Sequence, residues 1–356
     1  MALWRRGREA TDPKRDRAIL RVSVFLYVSL LVLLIGALRL VGEAWWLTTL
    51  ALYLPRWLWC TPLVVLGALS LWLGTRSLSF VLLGAAGLAF VGLLEFQLPT
   101  HGVAAWSPGQ VRIMSYNANE CRDGWDAMVA RAVDSGADLV FMQEVCLNAQ
   151  YVVDRLQQTF QVARLDGEFL LASRYPLSSV RLGQAAGEHA HARHVRYEIE
   201  SPLGPLAVYH IHPTSPRPAW IALARRLQSG LSRLGTLHGE LTTIVDDNTR
   251  LRARELALAT ESARRERLPV VIVGDTNLPG SSPLSARALA GFRDGFSERG
   301  RGFGYTYPGV LPFLRIDRVL TSATLCFASF RVGCRESRDH FCVLAGIEPC
   351  DQPVRP

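Results

Sequence analysis

Three long apolar segments dominate the first 98 residues of the chain. They cover residues 18–41, 57–74 and 78–98, and the arginines of the first segment, Arg21 and Arg39, stand only near its ends. Segments of this length and composition are typical of helices that cross a bilayer, and terminal arginines can extend their charge to the headgroups. A signal peptide is disfavoured because the first segment is too long and no small-residue cleavage site follows it. The pattern therefore predicts three transmembrane helices.

The residues around these segments predict an orientation. An aromatic stretch that ends at Pro55, WWLTTLALYLPR, separates the first two segments and is expected to lie at the membrane interface. The flank before residue 18 is strongly basic, which favours a cytoplasmic N-terminus. With three spans, everything after residue 98 is then extracytoplasmic. We expect a multi-pass protein of the cell (inner) membrane that contacts membrane lipids.

The pattern changes after a Pro- and Gly-rich linker at 99–110. Over 111–350, short apolar runs of strand length alternate with helical patterns, as in VRIMSYN, ADLVFMQEV and PLAVYHIHP. The run VVIV at 270–273 is β-branched and apolar throughout, which is typical of a strand buried on both faces. The sequence therefore predicts one α/β domain after the membrane region.

Charge is distributed unevenly between the two parts. The formal net charge is +8, of which +5 falls in residues 1–98 and +3 in the remainder. A nucleic-acid surface usually forms a marked basic patch. The nearly balanced charge of the domain therefore disfavours nucleic acid as its main partner.

The turn GDTN, directly after the buried run, carries the first candidate chemistry. Asp275 and Asn277 stand two residues apart, so on an extended chain their side chains point the same way. A carboxylate and a carboxamide that converge there suit a site that takes a proton from water and holds an anion. Taken alone, an Asx-turn with a helix cap explains the pair equally well.

Other polar residues recur at strand ends in the same half of the chain. A carboxylate inside a strand, such as Asp317 in RIDRVL, is costly unless it is paired, and a histidine is its natural partner. Each residue alone has an ordinary structural explanation, but the set in this order is specific. The set comprises Asn117, Asn119, Glu144, His210, His212, Asp317, Asp339 and His340.

Over residues 110–348 these motifs resemble the endonuclease/exonuclease/phosphatase superfamily of DNase I-like phosphoesterases. The matching motifs are SYNAN, MQEV, HxHP, GDTN, RID and RDH. The resemblance implies a four-layer α/β/β/α sandwich, here preceded by three transmembrane helices. It also implies a metal-dependent hydrolase that acts on phosphoric ester bonds.

The resemblance implies a metal site as well. Asn117 and Glu144 would bind a divalent ion, with Glu144 as the principal ligand and Asp339 near the metal. Mg²⁺, with Mn²⁺ as the alternative, needs few protein ligands and prefers oxygen donors. Asn119 stands where several relatives carry an aspartate, which leaves a second metal position open.

The catalytic roles follow from the same resemblance. Asp275 would activate or orient the nucleophilic water, and Asn277 would bind the phosphate. His340 would contact the scissile phosphate while Asp317 orients it. His212, followed by a proline, resembles the first active-site histidine of the family.

Three apolar spans before such a domain also resemble the membrane-anchored, VanJ-like subgroup of the superfamily. This resemblance implies a phosphatase or phosphodiesterase that acts on lipid-linked or other small phosphorylated substrates. A nuclease with the same site is the alternative, and a degenerate, non-enzymatic membrane protein is the second alternative.

Two helical segments have more than one interpretation. Residues 218–245 carry Trp220, Leu223, Leu227, Leu231 and Leu234 at helical spacing, which favours a core helix over a membrane-facing lid. The arginine-rich segment 250–267 is interpreted as a solvated helix face rather than a nucleic-acid surface.

Seven cysteines complete the set of candidates. Cys60 lies in a predicted span, and the other six lie in the domain, where an extracytoplasmic location permits disulfides. Cys121 and Cys146 follow the first two strands and form the favoured pair. Free buried thiols explain them equally well.

Overall fold

The computed structural model describes residues 12–98, 109–187, 191–229 and 234–350. Most of the predicted linker at 99–110 lies outside these residues. The side chains of Leu223, Leu227, Leu231 and Leu234 also lie outside the described part of the structure.

The first and third apolar segments form helices that are long enough to cross a membrane. α1 (Pro13–Gly36) continues through tighter and wider turns to Ala44, and this helical segment has 32 residues. The other membrane-length helix, Arg76–Leu93, has 18 residues and includes α4 (Arg76–Leu88). It ends before the predicted limit of residue 98.

The second predicted span, 57–74, is not one straight α-helix. It begins with a 3-10 turn at Arg56–Cys60 and continues as α3 (Thr61–Trp72). The whole segment Arg56–Trp72 meets the preceding helix, α2 (Trp46–Leu52), at an angle of 94°. The described part of the chain therefore has two membrane-length helices, or three if the bent pair counts as one span. Pro55 lies in the bend, and its missing N–H and fixed φ disfavour a continuous helix.

Two six-stranded mixed sheets form the centre of the domain. Their spatial orders are β11-β12-β1-β2-β4-β3 and β5-β6-β7-β8-β10-β9. The strands in chain order are β1 (Val111–Asn117), β2 (Leu139–Gln143), β3 (Val162–Asp166), β4 (Phe169–Ser173), β5 (Leu177–Leu182), β6 (His194–Ser201), β7 (Gly204–Ile211), β8 (Val270–Asp275), β9 (Arg293–Asp294), β10 (Asp317–Thr321), β11 (Leu325–Gly333) and β12 (Cys342–Pro349).

The sheets pack face to face, and helices cover their outer faces. The apolar layer between the sheets includes Phe141 from the first sheet and Val208 and Val273 from the second. Helices pack outside: α5 and α6 on the first sheet, α8 and α9 on the second. The helices of the domain are α5 (Trp125–Asp134), α6 (Gln150–Leu156), α7 (Arg217–Ser229), α8 (Leu234–Arg264), α9 (Pro283–Ala288) and α10 (Gly295–Arg299). This arrangement confirms the predicted α/β/β/α sandwich.

Some of the observed strands were not predicted from the sequence. β3, β5, β9 and β11 were missed, and each lies at an edge of its sheet. In β5, for example, every residue is at least partly exposed, so the burial alternation that identifies a strand is weak.

Three disulfides tie the domain together. Cys121 pairs with Cys146, Cys326 with Cys350, and Cys334 with Cys342, while Cys60 is free. The first bond joins the segments that follow β1 and β2, and it confirms the favoured pair.

The N-terminal region packs directly onto the domain. Leu52 and Tyr53 share an apolar cluster with Leu314 and Ile316. Polar contacts reinforce this interface: the Ser282 hydroxyl donates to Glu43, and the Tyr305 hydroxyl donates to the Leu94 carbonyl at 2.6 Å. The N-terminal region is therefore an integral part of the fold.

Candidate active site

The ends of the parallel strand pairs meet at one edge of the sandwich. β1 lies parallel to β2, and β7 lies parallel to β8. Asn117 and Asp275 end β1 and β8, while Glu144 and His212 directly follow β2 and β7. Because the carboxyl ends of parallel strands lie at the same edge, the topology gathers these four side chains.

The glycine of GDTN is required by close packing. Gly274 lies beside Ile211 of the parallel strand β7, with φ of +142°, and a Cβ at this position would be 2.0 Å from the Ile211 carbonyl oxygen. A larger residue would push β7 and β8 apart directly beneath Asp275.

Asp275 is buried and faces a second carboxylate. Its Oδ1 accepts the N–H of Asn277 at 2.7 Å, and its Oδ2 accepts Nδ2 of Asn117 at 3.1 Å. Asp317 lies directly opposite in the antiparallel pair of β8 and β10. Burial, together with the charge of Asp317, raises the pKa of Asp275 to about 6.

His340 is held between these carboxylates. Its Nδ1 lies 3.0 Å from Oδ2 of Asp317, and its Nε2 lies 3.8 Å from Oδ2 of Asp275. Burial disfavours the charged ring, but Asp317 outweighs it and raises the pKa of His340 to about 9. The pairing expected for Asp317 is therefore present, and His340 is cationic at neutral pH.

His212 forms a second charged group with two glutamates. Its Nε2 lies 3.2 Å from Oε1 of Glu144 and its Nδ1 lies 3.1 Å from Oε2 of Glu168, both off the line of an ideal hydrogen bond. Burial opposes protonation, yet the two carboxylates raise the pKa of His212 to about 10. Glu168 was not among the site residues predicted from the sequence. An acidic residue directly before the buried strand β4, which neighbours β2, is the signal that could have found it.

Asn117 bridges two carboxylates. Its Nδ2 donates to Oε1 of Glu144 at 3.0 Å as well as to Asp275, while its Oδ1 accepts the N–H of Asn119 at 2.9 Å. The NH₂ end of the Asn117 side chain, rather than its carbonyl oxygen, thus faces the acidic groups. Its expected role as a metal ligand stays a prediction.

His210 does not join the site. It is fully buried between the rings of Phe141 and Phe169, and its Nε2 contacts the Gln143 amide. Burial, with the nearby charge of His212, holds its pKa well below the usual value, so this histidine is a neutral core residue.

Asn277 is engaged with the backbone around the site. Its side-chain Nδ2 donates to the Pro213 carbonyl at 2.9 Å. Its backbone carbonyl oxygen accepts a hydrogen bond from the Tyr53 hydroxyl at 2.8 Å. Asn277 and Glu144 both have φ of +51°. A left-handed conformation in residues other than glycine carries strain that the surrounding contacts must hold in place.

These groups form the floor of a cavity of about 1050 Å³. Glu144, Glu168, His212, Asp275 and His340 line it together with Asn277 and Asp339. Its upper wall is apolar and includes Leu54, Leu147, Trp220, Ile221 and Phe313. Leu54 belongs to the N-terminal region, so both parts of the chain build the cavity.

The donor set fits a hard divalent cation. Burial and the charge of Glu144 raise the pKa of Asp339, and a cation between these two carboxylates would relieve that repulsion. A second group, Asp275, Asp317 and His340, has ligand atoms within 4.8 Å of one another, and Oδ1 of Asp317 is buried without a hydrogen-bond partner among the described residues. Carboxylate oxygens are the ligands that Mg²⁺ and Mn²⁺ prefer.

The site is thus an acidic edge with two buried carboxylate–imidazolium groups on a four-layer sandwich. The chain belongs to the Endonuclease/Exonuclease/phosphatase family, whose model matches residues 114–337. Enzymes of this family are phosphoesterases that generally depend on a divalent metal.

Solved structures share the fold at low sequence identity. A variant of the 3′ phosphatase NExo from Neisseria, bound to a product DNA hairpin, is 14% identical with a TM-score of 0.50, covering 67% of this chain and 99% of its own. Truncated TDP2 from Caenorhabditis elegans is 16% identical, with a TM-score of 0.48 and coverage of 67% and 97%. An endonuclease/exonuclease/phosphatase from Beutenbergia cavernae is 15% identical, with a TM-score of 0.47 and coverage of 69% and 73%. No curated protein matches the chain in sequence, and membership of the VanJ-like subgroup stays a prediction.

Proposed function

We propose that the chain is a membrane-anchored, divalent-metal-dependent phosphoesterase that hydrolyses phosphate ester or anhydride bonds. The observation that carries this proposal is the placement of Asp275 among cations. One acid with a pKa of about 6 lies beside His340 and near His212, whose pKa values are about 9 and 10. At neutral pH, a base and two cations therefore face one cavity.

Each group has a task in this chemistry. Ionised Asp275 accepts a proton from water and orients the water for in-line attack. The imidazolium groups of His340 and His212 stabilise negative charge that grows on the phosphoryl oxygens. Asn277 lies in the same turn as Asp275 and positions the phosphate beside that carboxylate. A divalent ion held by Glu144 and Asp339, with Asn117 beside them, supplies further charge neutralisation when bound.

The cavity wall supports a lipid-linked phosphate as substrate. The acidic floor suits the phosphate and its metal, while Leu54, Trp220, Ile221 and Phe313 offer an apolar surface for a hydrocarbon chain. Leu147 of the same wall is exposed, and so are Val310 and Leu311, which precede Phe313 in the chain. Leu31 and Leu93 of the membrane-length helices share an apolar cluster with Trp220 and Phe313, so a hydrocarbon chain that leaves a bilayer beside these helices would be near the wall.

The disulfides support an extracytoplasmic position for the domain. Structural disulfides form and persist in oxidising compartments and are rare in the cytosol. All six cysteines of the domain are paired. We propose that the chain is a cell-membrane protein with its N-terminus in the cytoplasm and its catalytic domain outside.

A substrate panel tests the proposal. The full chain in detergent with Mg²⁺ is given prenyl pyrophosphates, phospholipids, inositol phosphates and plasmid DNA. We expect phosphate release from lipid-linked substrates that chelation abolishes. Cleavage of DNA alone would establish the nuclease, and no hydrolysis with either Mg²⁺ or Mn²⁺ would favour the non-enzymatic alternative.

A further inference from the structure

We infer that Tyr53, a residue of the N-terminal membrane region, is a positioning residue for the catalytic turn 275–277. This inference rests on the proposed function, since it concerns the same site. It makes the membrane region a working part of the active site in addition to an anchor.

The hydroxyl group of Tyr53 joins the two parts of the molecule. It donates to the Asn277 carbonyl oxygen at 2.8 Å and accepts a hydrogen bond from Nη1 of Arg252 at 2.9 Å. A guanidinium group can only donate, so the hydroxyl proton is directed to Asn277. The Tyr53 side chain is almost completely buried, and its orientation is therefore fixed by both partners.

Arg252 extends this contact to the second catalytic segment. Its Nε donates to the Thr214 carbonyl at 2.7 Å, and its Nη2 contacts the Asn248 side chain. Thr214 stands two residues after His212 and is also held by Glu255, which accepts its N–H at 2.6 Å and its hydroxyl at 2.9 Å. The buried guanidinium of Arg252 thus connects Tyr53 to the segment after His212. Tyr53 in turn bonds Asn277, in the turn that carries Asp275.

The interpretation of 250–267 as a solvated helix face was therefore wrong at Arg252. This side chain is completely buried on α8. A buried arginine is retained only where its donors are satisfied, and here its bonds to Tyr53, Thr214 and Asn248 all lie around the active site.

The turn at 275–277 depends on such support. The Asn277 N–H hydrogen-bonds Asp275, so any rotation of this peptide moves the carboxylate. Asn277 also has a left-handed backbone conformation that its contacts must maintain. The Tyr53 hydroxyl fixes the backbone carbonyl at the far end of the same turn and so acts on Asp275 through Asn277.

A matched pair of tyrosine variants separates positioning from packing. Tyr53→Phe keeps the ring in its apolar cluster and removes only the hydroxyl. Tyr27→Phe is the control, because the Tyr27 hydroxyl also donates to a backbone carbonyl in the membrane region, that of Trp59 at 3.0 Å. Both variants are measured in the full chain with Mg²⁺ and bis(p-nitrophenyl) phosphate as a soluble probe.

We expect Tyr53→Phe to lower kcat about tenfold with little change in KM, since small displacements of reacting groups act on kcat. Tyr27→Phe should keep wild-type kcat. Arg252→Lys should give a similar loss in kcat, and the double variant Tyr53→Phe/Arg252→Lys should be scarcely worse than either single one.

Three results would overturn the inference. The first is wild-type kcat in Tyr53→Phe, and the second is an equal loss in both tyrosine variants, which would indicate general loosening of the membrane region. The third is multiplicative losses in the double variant. If Tyr53→Phe does not fold, the kcat and KM of Arg252→Lys decide alone. A wild-type chain that hydrolyses neither this probe nor the panel substrates would instead remove the proposed function, and the inference with it.

Discussion

Asp317 and His340 form a 3.0 Å contact that links the two sheets of the sandwich. Asp317 begins β10 in one sheet, and His340 stands two residues before β12 in the other. The pair therefore joins the two sheets at the edge where the ends of the active-site strands meet. The charge of His340 depends on Asp317 staying beside it, and hence on the two sheets staying packed together. The integrity of the fold is therefore coupled to the electrostatics of the site.

The pH dependence of activity should report this pair. Because the folded pKa of His340 is about 9, its cation is present below that pH and is lost above it. Asp317→Asn removes the charge that raises this pKa, so the alkaline limb of the kcat/KM profile should move to lower pH. His340→Ala should lose most activity at every pH.

The double variant provides the control for that experiment. If the two residues act as one unit, Asp317→Asn/His340→Ala should be scarcely less active than His340→Ala alone. Multiplicative losses at saturating Mg²⁺ would show that Asp317 acts independently of the histidine.

Glu144→Ala should remove the principal carboxylate ligand of the metal. We expect activity to fall roughly a hundredfold or more, because a group that stabilises the transition-state charge is lost. The fold should survive, since Glu144 lines a cavity. Glu261→Ala, at an exposed position on α8, is the control. Near wild-type activity of Glu144→Ala at limiting Mg²⁺ would contradict the metal site.

The apolar wall should select for lipid-linked substrates. Ile221→Ser and Leu147→Ser should each lower kcat/KM for a lipid phosphate about fivefold, as expected when one aliphatic side chain loses partial contact with the hydrocarbon. Hydrolysis of bis(p-nitrophenyl) phosphate should be unchanged. Leu182→Ser, exposed on edge strand β5, controls for surface polarity. Equal effects on both substrates would remove the lipid from the proposal.

Asp294 should contribute to stability in a defined pH range. Its Oδ2 lies 3.0 Å from Arg315 and 2.8 Å from Arg318. Burial alone would raise its pKa, but the two arginines lower it to about 2. Since the unfolded value is about 3.9, the stabilisation is complete well above pH 4 and is lost as the pH falls toward 2.

Asp294→Asn leaves two buried guanidinium groups with one carboxylate fewer. We expect it to lower the free energy of unfolding by about 3 kcal/mol near neutral pH, the magnitude for breaking a buried ion pair. Asp247→Asn, which breaks an exposed ion pair with Arg250, should change the melting temperature little. Thermal unfolding of the purified chain between pH 3 and 7 measures both. A pH-independent difference between Asp294→Asn and wild type would contradict the assigned cause.

The orientation of the domain is tested by a reporter. Alkaline phosphatase fused after Pro356 should be active, because that enzyme matures only outside the cytoplasm. A fluorescent protein that requires the cytoplasm should stay dark at the same position. The reverse pattern would place the catalytic domain inside the cell.

The sequence predicted those features that local pattern or motif determines. A histidine partner for Asp317 followed from a costly carboxylate in a strand, while the resemblance of the motifs implied both that this partner is His340 and that the fold is a four-layer sandwich. Glu168 had a weaker signal, its place directly before a buried strand, whereas Tyr53 and Arg252 have no signal in the motifs. The Tyr53–Asn277 hydrogen bond spans 224 residues of chain, so only the packing of the membrane region on the domain reveals it. The bend lies at residues 53–55, at the end of the interfacial stretch that was expected to end at Pro55, but its angle of 94° was not predicted, because composition gives hydrophobicity and not direction.

That bend sets the parity of membrane crossings. Three residues, 53–55, separate α2 from the helical segment that starts at Arg56. If the bent pair crosses, the crossings are odd in number, and the two termini of the membrane region face opposite compartments. If it turns back, the number is even, and a cytoplasmic N-terminus would place the disulfides in a reducing environment. Tyr53 lies within this break. The segment whose bend determines the number of crossings therefore also holds the catalytic turn 275–277 in position. An insertion or deletion at residues 53–55 is therefore expected to disturb both the angle between these helical segments and the position of the turn 275–277.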